Sequence, residues 1–128
     1  SPIYETASMG FSGPNFYNLV CKFETDEKLH DLKLNLNKIE IAHGRTHGET
    51  KFSSRTLDID ILYYDSLVME TDNITVPRSE IIRYDFVLRP LVDIAPDFMH
   101  PKEKLTNQEI LNTYDIEKLI INTVNIEI

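Results

Sequence analysis

The spacing of apolar and polar positions changes several times along the chain, and each change predicts an element. Phe16 to Glu24 (FYNLVCKFE) is a short apolar run with partial alternation and predicts a strand. The MGFSGPN before it carries two glycines and a proline and predicts a loop. Leu29, Leu32, Leu36 and Ile39 then form an apolar stripe at helical spacing. Thr25 or Asp26 is the expected N-cap of that helix, with Glu27 in its first turn. Gly44 stands where a C′ residue closes a helix in the left-handed conformation. On the side opposite the stripe, Asn37 and Glu40 are three apart and therefore neighbours.

Residues 45 to 55 (RTHGETKFSSR) are polar, contain glycine and predict a surface loop. Thr56 to Tyr64 (TLDIDILYY) predicts a strand whose Leu57, Ile59, Ile61 and Tyr63 point one way, with Asp58 and Asp60 on the other face. Leu67–Met69 and Ile74–Val76 predict two short strands around the turn-like TDN, the second ended by Pro77. Ile81 to Ile94 predicts a helix interrupted at Pro90, and Thr106 with Glu109 has capping-box spacing ahead of another. The final LIINTVNIEI fits a strand or a frayed tail. Strands and helices in this order predict an α+β fold.

At 128 residues the chain has the length of a single domain, 1–128, with 41% hydrophobic residues for a core. Its formal net charge of -8 argues against a general binder of nucleic acid or anionic membrane. A local positive pocket remains open to Arg45, Lys51, Arg55, Arg78, Arg83 and Arg89. Cys21 is the single cysteine, so no intramolecular disulfide forms, and no Cys/His set has zinc-finger spacing. Without a signal-like segment or an apolar stretch of bilayer length, the expected location is the cytoplasm, with no membrane partner.

The two aspartates carry the chemistry. Aspartate is depleted in strands, and a second like charge on the same face adds repulsion. Carboxylates at i and i+2 stand roughly 7 Å apart at their roots. Magnesium suits such a pair, because it binds through one or two carboxylates and completes its shell with waters and substrate phosphates. Arg45 and Arg55 offer permanently charged forks that match phosphate oxygens. A DxD pair alone is common, and on spacing alone an exposed strand face with ordinary ion pairs is the blander reading. His43 and His47 are four apart, but Gly44 between them breaks the helix that would align them. Phe16 and Phe86 read by default as core, Thr6 and Asn18 as locally satisfied polar residues.

The string RTLDIDILYYD, with the basic loop before it, resembles the signature of the 6-hydroxymethyl-7,8-dihydropterin pyrophosphokinases. IYETASMG, GPNFYNLV, the Gly44-Arg45 pair, ITVP at 74–77 and RPLVDIAP at 89–96 follow in that family's order. The resemblance implies a ferredoxin-like α/β sandwich with an antiparallel sheet. It also implies transfer of pyrophosphate from ATP to the hydroxymethyl group of 6-hydroxymethyl-7,8-dihydropterin, with release of AMP, in folate biosynthesis. Asp58 and Asp60 would then hold two Mg²⁺ ions, with Arg45 and Arg55 on the phosphates. Phe16 and Phe86 would stack on the pterin, Asn18 would read its polar edge, and Thr6 and the backbone around Met9 would assist. Asn37, Glu40, Ile61, Thr75 and Arg78 would lie on the nucleotide side.

The chain departs from the family pattern at several positions. His47 stands where a second arginine is usual, Gly48 where a lysine is, and Phe52-Ser53-Ser54 where Trp-Gly-Pro is. Arg78 replaces a histidine, and Tyr84 an arginine beside which Arg83 stands. The alternative implied by these changes is a non-catalytic relative that binds pterin and nucleotide with a degenerate loop. The resemblance also leads one to expect a strand, a Gly-Ser-Asn loop and a helix ahead of Ser1, a unit not seen in this sequence.

Overall fold

A computed structural model of the chain describes residues 1–7, 15–44 and 57–124. Strands β1 (Ile3–Thr6), β2 (Phe16–Asn18) and β5 (Ile120–Val124) form an antiparallel sheet in the order β2-β1-β5. The β1–β5 register shifts between Glu5 and Thr6. Strands β3 (Met69–Glu70) and β4 (Thr75–Val76) make a separate antiparallel pair. Three helices, α1 (Leu29–Ala42), α2 (Asp85–Ile94) and α3 (Asn107–Thr113), and a 3₁₀ turn at Ser79–Ile82 complete the described elements. Separate helices and antiparallel strands agree with the α+β expectation.

The core sits between the 3₁₀ turn, α2 and α3. Ile81, Leu88, Leu91, Val92, Ile110 and Ile116 are buried together, and Leu62, Tyr63 and Val20 pack against them. The Thr106–Glu109 capping box forms in both directions, at 3.0 and 3.1 Å, and starts α3 as its spacing predicts. Gly44, with φ of 97°, takes the left-handed position that ends α1. Tyr4 on β1 donates through its hydroxyl to Asp93, tying the sheet to α2.

Several expectations are corrected. The strand at Phe16 to Glu24 ends at Asn18, because the Val20 amide and carbonyl are taken by the Ser1 hydroxyl and ammonium, each at 2.9 Å. Neither Thr25 nor Asp26 caps α1: the Thr25 hydroxyl accepts from the Glu27 amide at 3.1 Å, and the helix starts after Lys28. Glu27 therefore precedes the first turn. Ile39 is 44% exposed while Glu40 is 4% exposed, so the apolar stripe does not hold to its last turn. Residues 57–64 join no ladder among the described residues. The Ile59 amide donates to Glu40 instead, and the Leu62 carbonyl accepts from the Arg78 amide. The break in the 81–94 segment falls at Arg83–Tyr84, whose extended Tyr84 bridges to Glu117. Pro90 lies buried inside α2 and forgoes one helical bond, to the Phe86 carbonyl.

A buried histidine gives this core a pH dependence. His100 accepts the amides of Lys102 and Glu103 at Nδ1, both at 3.1 Å, so its proton sits on Nε2. Burial, aided by Lys102 and opposed by Glu103, holds the imidazole below its ordinary value of 6.5. Its contribution is fully present above that unfolded value and is lost as pH falls through the folded one. Denaturant unfolding at pH 8 and pH 5.5 should show this acid loss. His100→Asn, which keeps an acceptor that does not titrate, should show less of it.

Candidate functional site

One cavity of about 190 Å³ collects side chains from four separate stretches of chain. Helix α1 contributes Lys33, Leu36, Asn37 and Glu40, which recur at helical spacing on one face. The 57–64 segment contributes Asp58 to Ile61, β4 contributes Thr75 and Val76, and Arg78 follows the turn at Pro77. The predicted Asn37–Glu40 pair and Asp58–Asp60 pair therefore share one opening. Ile61, Thr75 and Arg78 lie on it too.

Glu40 sets the geometry. Its buried carboxylate accepts the Ile59 amide at 2.9 Å, which pins to α1 the peptide between the two aspartates. A carboxylate that accepts a backbone amide in a buried position holds its partner more firmly than a neutral acceptor does. Asp58 and Asp60 are themselves exposed at the opening. Arg78 NH1 stands 3.6 Å from Asp60, and its Nε is 2.6 Å from Glu80. Although Asp60 is open to solvent on one side, partial desolvation against the cavity wall raises its pKa above the ordinary value, with Asp58, Glu80 and Glu40 adding to the rise and Arg78 opposing it.

This donor set fits a hard cation. The cavity presents carboxylate oxygens without histidine or cysteine among its described lining residues. Among the described residues, no group of three or more His, Cys, Asp or Glu could enclose an ion by itself. Magnesium held by two carboxylates, with waters and phosphate oxygens completing its shell, needs no such cage. A cation would also offset the lost solvation and the neighbouring carboxylates that raise Asp60.

A second group lies on the sheet. Tyr4, Thr6, Phe16 and Asn18 share one face of the β1–β2 ladder, where Thr6 pairs with Phe16 and Tyr4 with Asn18. Asn18 donates through Nδ2 to the buried Thr6 hydroxyl at 3.3 Å, and Phe16 is 47% exposed. Phe86 is half-buried on α2, and its ring stacks on Tyr84 at 5.4 Å between centroids. Arg83 lies over the Tyr84 ring at 5.2 Å. Met9, Arg45 and Arg55 lie outside the described residues, as do His47, Gly48 and Phe52.

Sequence reasoning missed Lys33, Glu80 and the Tyr84 stack. Lys33 was within reach of it, because Lys33, Asn37 and Glu40 fall at i, i+4 and i+7 of one helix. The Glu80 contact depends on a turn whose path no local pattern specifies. Among the described residues no helix is long and apolar enough to cross a membrane.

The family model described as 7,8-dihydro-6-hydroxymethylpterin-pyrophosphokinase matches residues 1–96. A folic acid synthesis protein of Dictyostelium discoideum is 43% identical over 97 residues, which is 75% of this chain and 14% of that protein. The 2-amino-4-hydroxy-6-hydroxymethyldihydropteridine pyrophosphokinase of Aquifex aeolicus is 36% identical over 102 residues, 79% of this chain and 63% of its own length. The protein of that name from Haemophilus influenzae is 30% identical over 125 residues, 95% of this chain and 76% of its own. The chain thus spans about a seventh of the first relative.

Proposed function

The chain belongs to the 7,8-dihydro-6-hydroxymethylpterin-pyrophosphokinase family, and from that premise we propose that it transfers pyrophosphate from ATP to 6-hydroxymethyl-7,8-dihydropterin. The observation that carries this reading is the shared cavity. The residues that the resemblance assigns to metal and nucleotide, from α1, the 57–64 segment, β4 and Arg78, line one opening. The β2-β1-β5 sheet with α2 against it is read as part of a ferredoxin-like sandwich.

In this reaction the pterin hydroxymethyl oxygen attacks the β-phosphorus of ATP. The new O–P bond forms as the bond from that phosphorus to the α–β bridging oxygen breaks, AMP leaves with the bridging oxygen, and the hydroxyl proton passes to solvent. Asp58 and Asp60 would hold two Mg²⁺ ions, which neutralise the phosphate charge when bound. Glu40 fixes the backbone between them, so the two carboxylates keep their spacing. Asn37, Ile61 and Thr75 bound the nucleotide side, and Arg45 and Arg55 take the phosphates. Phe16 and Phe86 receive the flat pterin between aromatic faces, while Asn18 reads its polar edge, assisted by Thr6 and the Met9 backbone.

Chromatographic separation of AMP and ADP tests the proposal. The chain with Mg²⁺ and ATP should form AMP only when the hydroxymethylpterin is added. Pterin and ATP binding without AMP would overturn catalysis in favour of a non-catalytic binding relative.

A further inference from the structure

The two ion pairs of Arg78 are unequal. Its Nε to Glu80 Oε2 contact is 2.6 Å, a charge-assisted hydrogen bond, whereas NH1 stands 3.6 Å from Asp60 Oδ1, beyond hydrogen-bond length. Glu80 is itself held: its other oxygen accepts the Ser79 hydroxyl at 3.1 Å, and the next residue, Ile81, is fully buried. The Arg78 amide donates to the Leu62 carbonyl at 3.1 Å, which fixes its backbone beside the segment that carries Asp60. The root of this side chain is therefore anchored, and the end of its fork is bound to Asp60 by charge alone.

We propose that Arg78 is an exchangeable cation: it neutralises Asp60 in the metal-free site and turns to an anionic polyphosphate when a divalent cation takes Asp60, with Glu80 as its positioning residue. This rests on the reading of Asp58 and Asp60 as the metal-facing pair. A guanidinium cannot escape the competition by losing its proton. A divalent ion carries twice the charge and binds through one or two carboxylates. The displaced fork then faces the same cavity in which phosphates complete the metal's shell. Arg78 accordingly weakens binding of metal alone and strengthens binding of nucleotide once the metal is in place. The two ligands become coupled, and that coupling is reciprocal.

Calorimetric titration of the full chain with Mn²⁺ alone, with ATP in a chelator, and with ATP at saturating Mn²⁺ tests the exchange. Arg78→Gln should bind Mn²⁺ alone about threefold to fivefold more tightly and ATP at saturating Mn²⁺ more weakly by a similar factor, with chelated ATP much less affected. Arg78→Lys keeps the charge, so its Mn²⁺ affinity should stay near that of the unaltered chain. Glu80→Gln should weaken ATP at saturating Mn²⁺ about twofold to threefold. Unchanged or weaker Mn²⁺ binding in Arg78→Gln overturns the exchange. If Asp60→Asn leaves Mn²⁺ binding intact, the metal-facing reading has failed instead. Loss of Mn²⁺ binding in Asp60→Asn with no effect of Arg78→Gln leaves that reading standing and sinks the exchange alone.

Discussion

Asp60→Ala is expected to lower turnover by roughly a hundredfold to a thousandfold, the range for removing one preorganised group that stabilises transition-state charge. Asp58→Ala should do the same, and the double variant should fall little further, because the two carboxylates act as a unit. Neither change should unfold the chain, since both side chains are exposed at the cavity and outside the core cluster. The decisive comparison is Mg²⁺-dependent nucleotide affinity against a thermal melt. An unchanged Mg²⁺-ATP affinity in Asp58→Ala would contradict the ligand assignment, whatever happened to the rate.

Glu40→Ala should act on stability and on the site together. The substitution leaves the Ile59 amide without its carboxylate and opens a small gap beneath the 57–64 segment. Losing the partner of a buried donor costs about 1–3 kcal/mol. Denaturant midpoints measure that loss directly. The freed segment should also lower Mg²⁺-ATP affinity, since the spacing of Asp58 and Asp60 depends on the peptide between them. Glu40→Gln retains an acceptor and should recover most of the stability. If Glu40→Ala shifted the midpoint with no effect on nucleotide, Glu40 would be a core residue and nothing more.

Much of the fold around this site is legible in the sequence, and the reason is locality. The Thr106–Glu109 box, the Gly44 stop and the β3–β4 pair each depend on residues within a few positions of one another. The aspartates stood out because two carboxylates in an apolar alternating run break a local rule. Helical spacing makes Glu40 a neighbour of Asn37, but its burial is not readable from the pattern. A glutamate next to an apolar stripe ordinarily faces water, and the Ile59 amide helps make its burial tolerable. The 57–64 run shows the converse limit. Its strand pattern is strong, yet a ladder needs a neighbour, and here side-chain and loop partners take Ile59 and Leu62. The Arg78–Glu80–Asp60 contacts depend on the turn at Pro77, which the sequence marks without specifying where it leads.

Pyrophosphoryl transfer at the Asp58–Asp60 cavity is tested by following the β-phosphorus. ATP labelled at that atom should give unlabelled AMP and a labelled pterin product in equal amounts. Label left in ADP, or released as free phosphate with no labelled pterin, would contradict it.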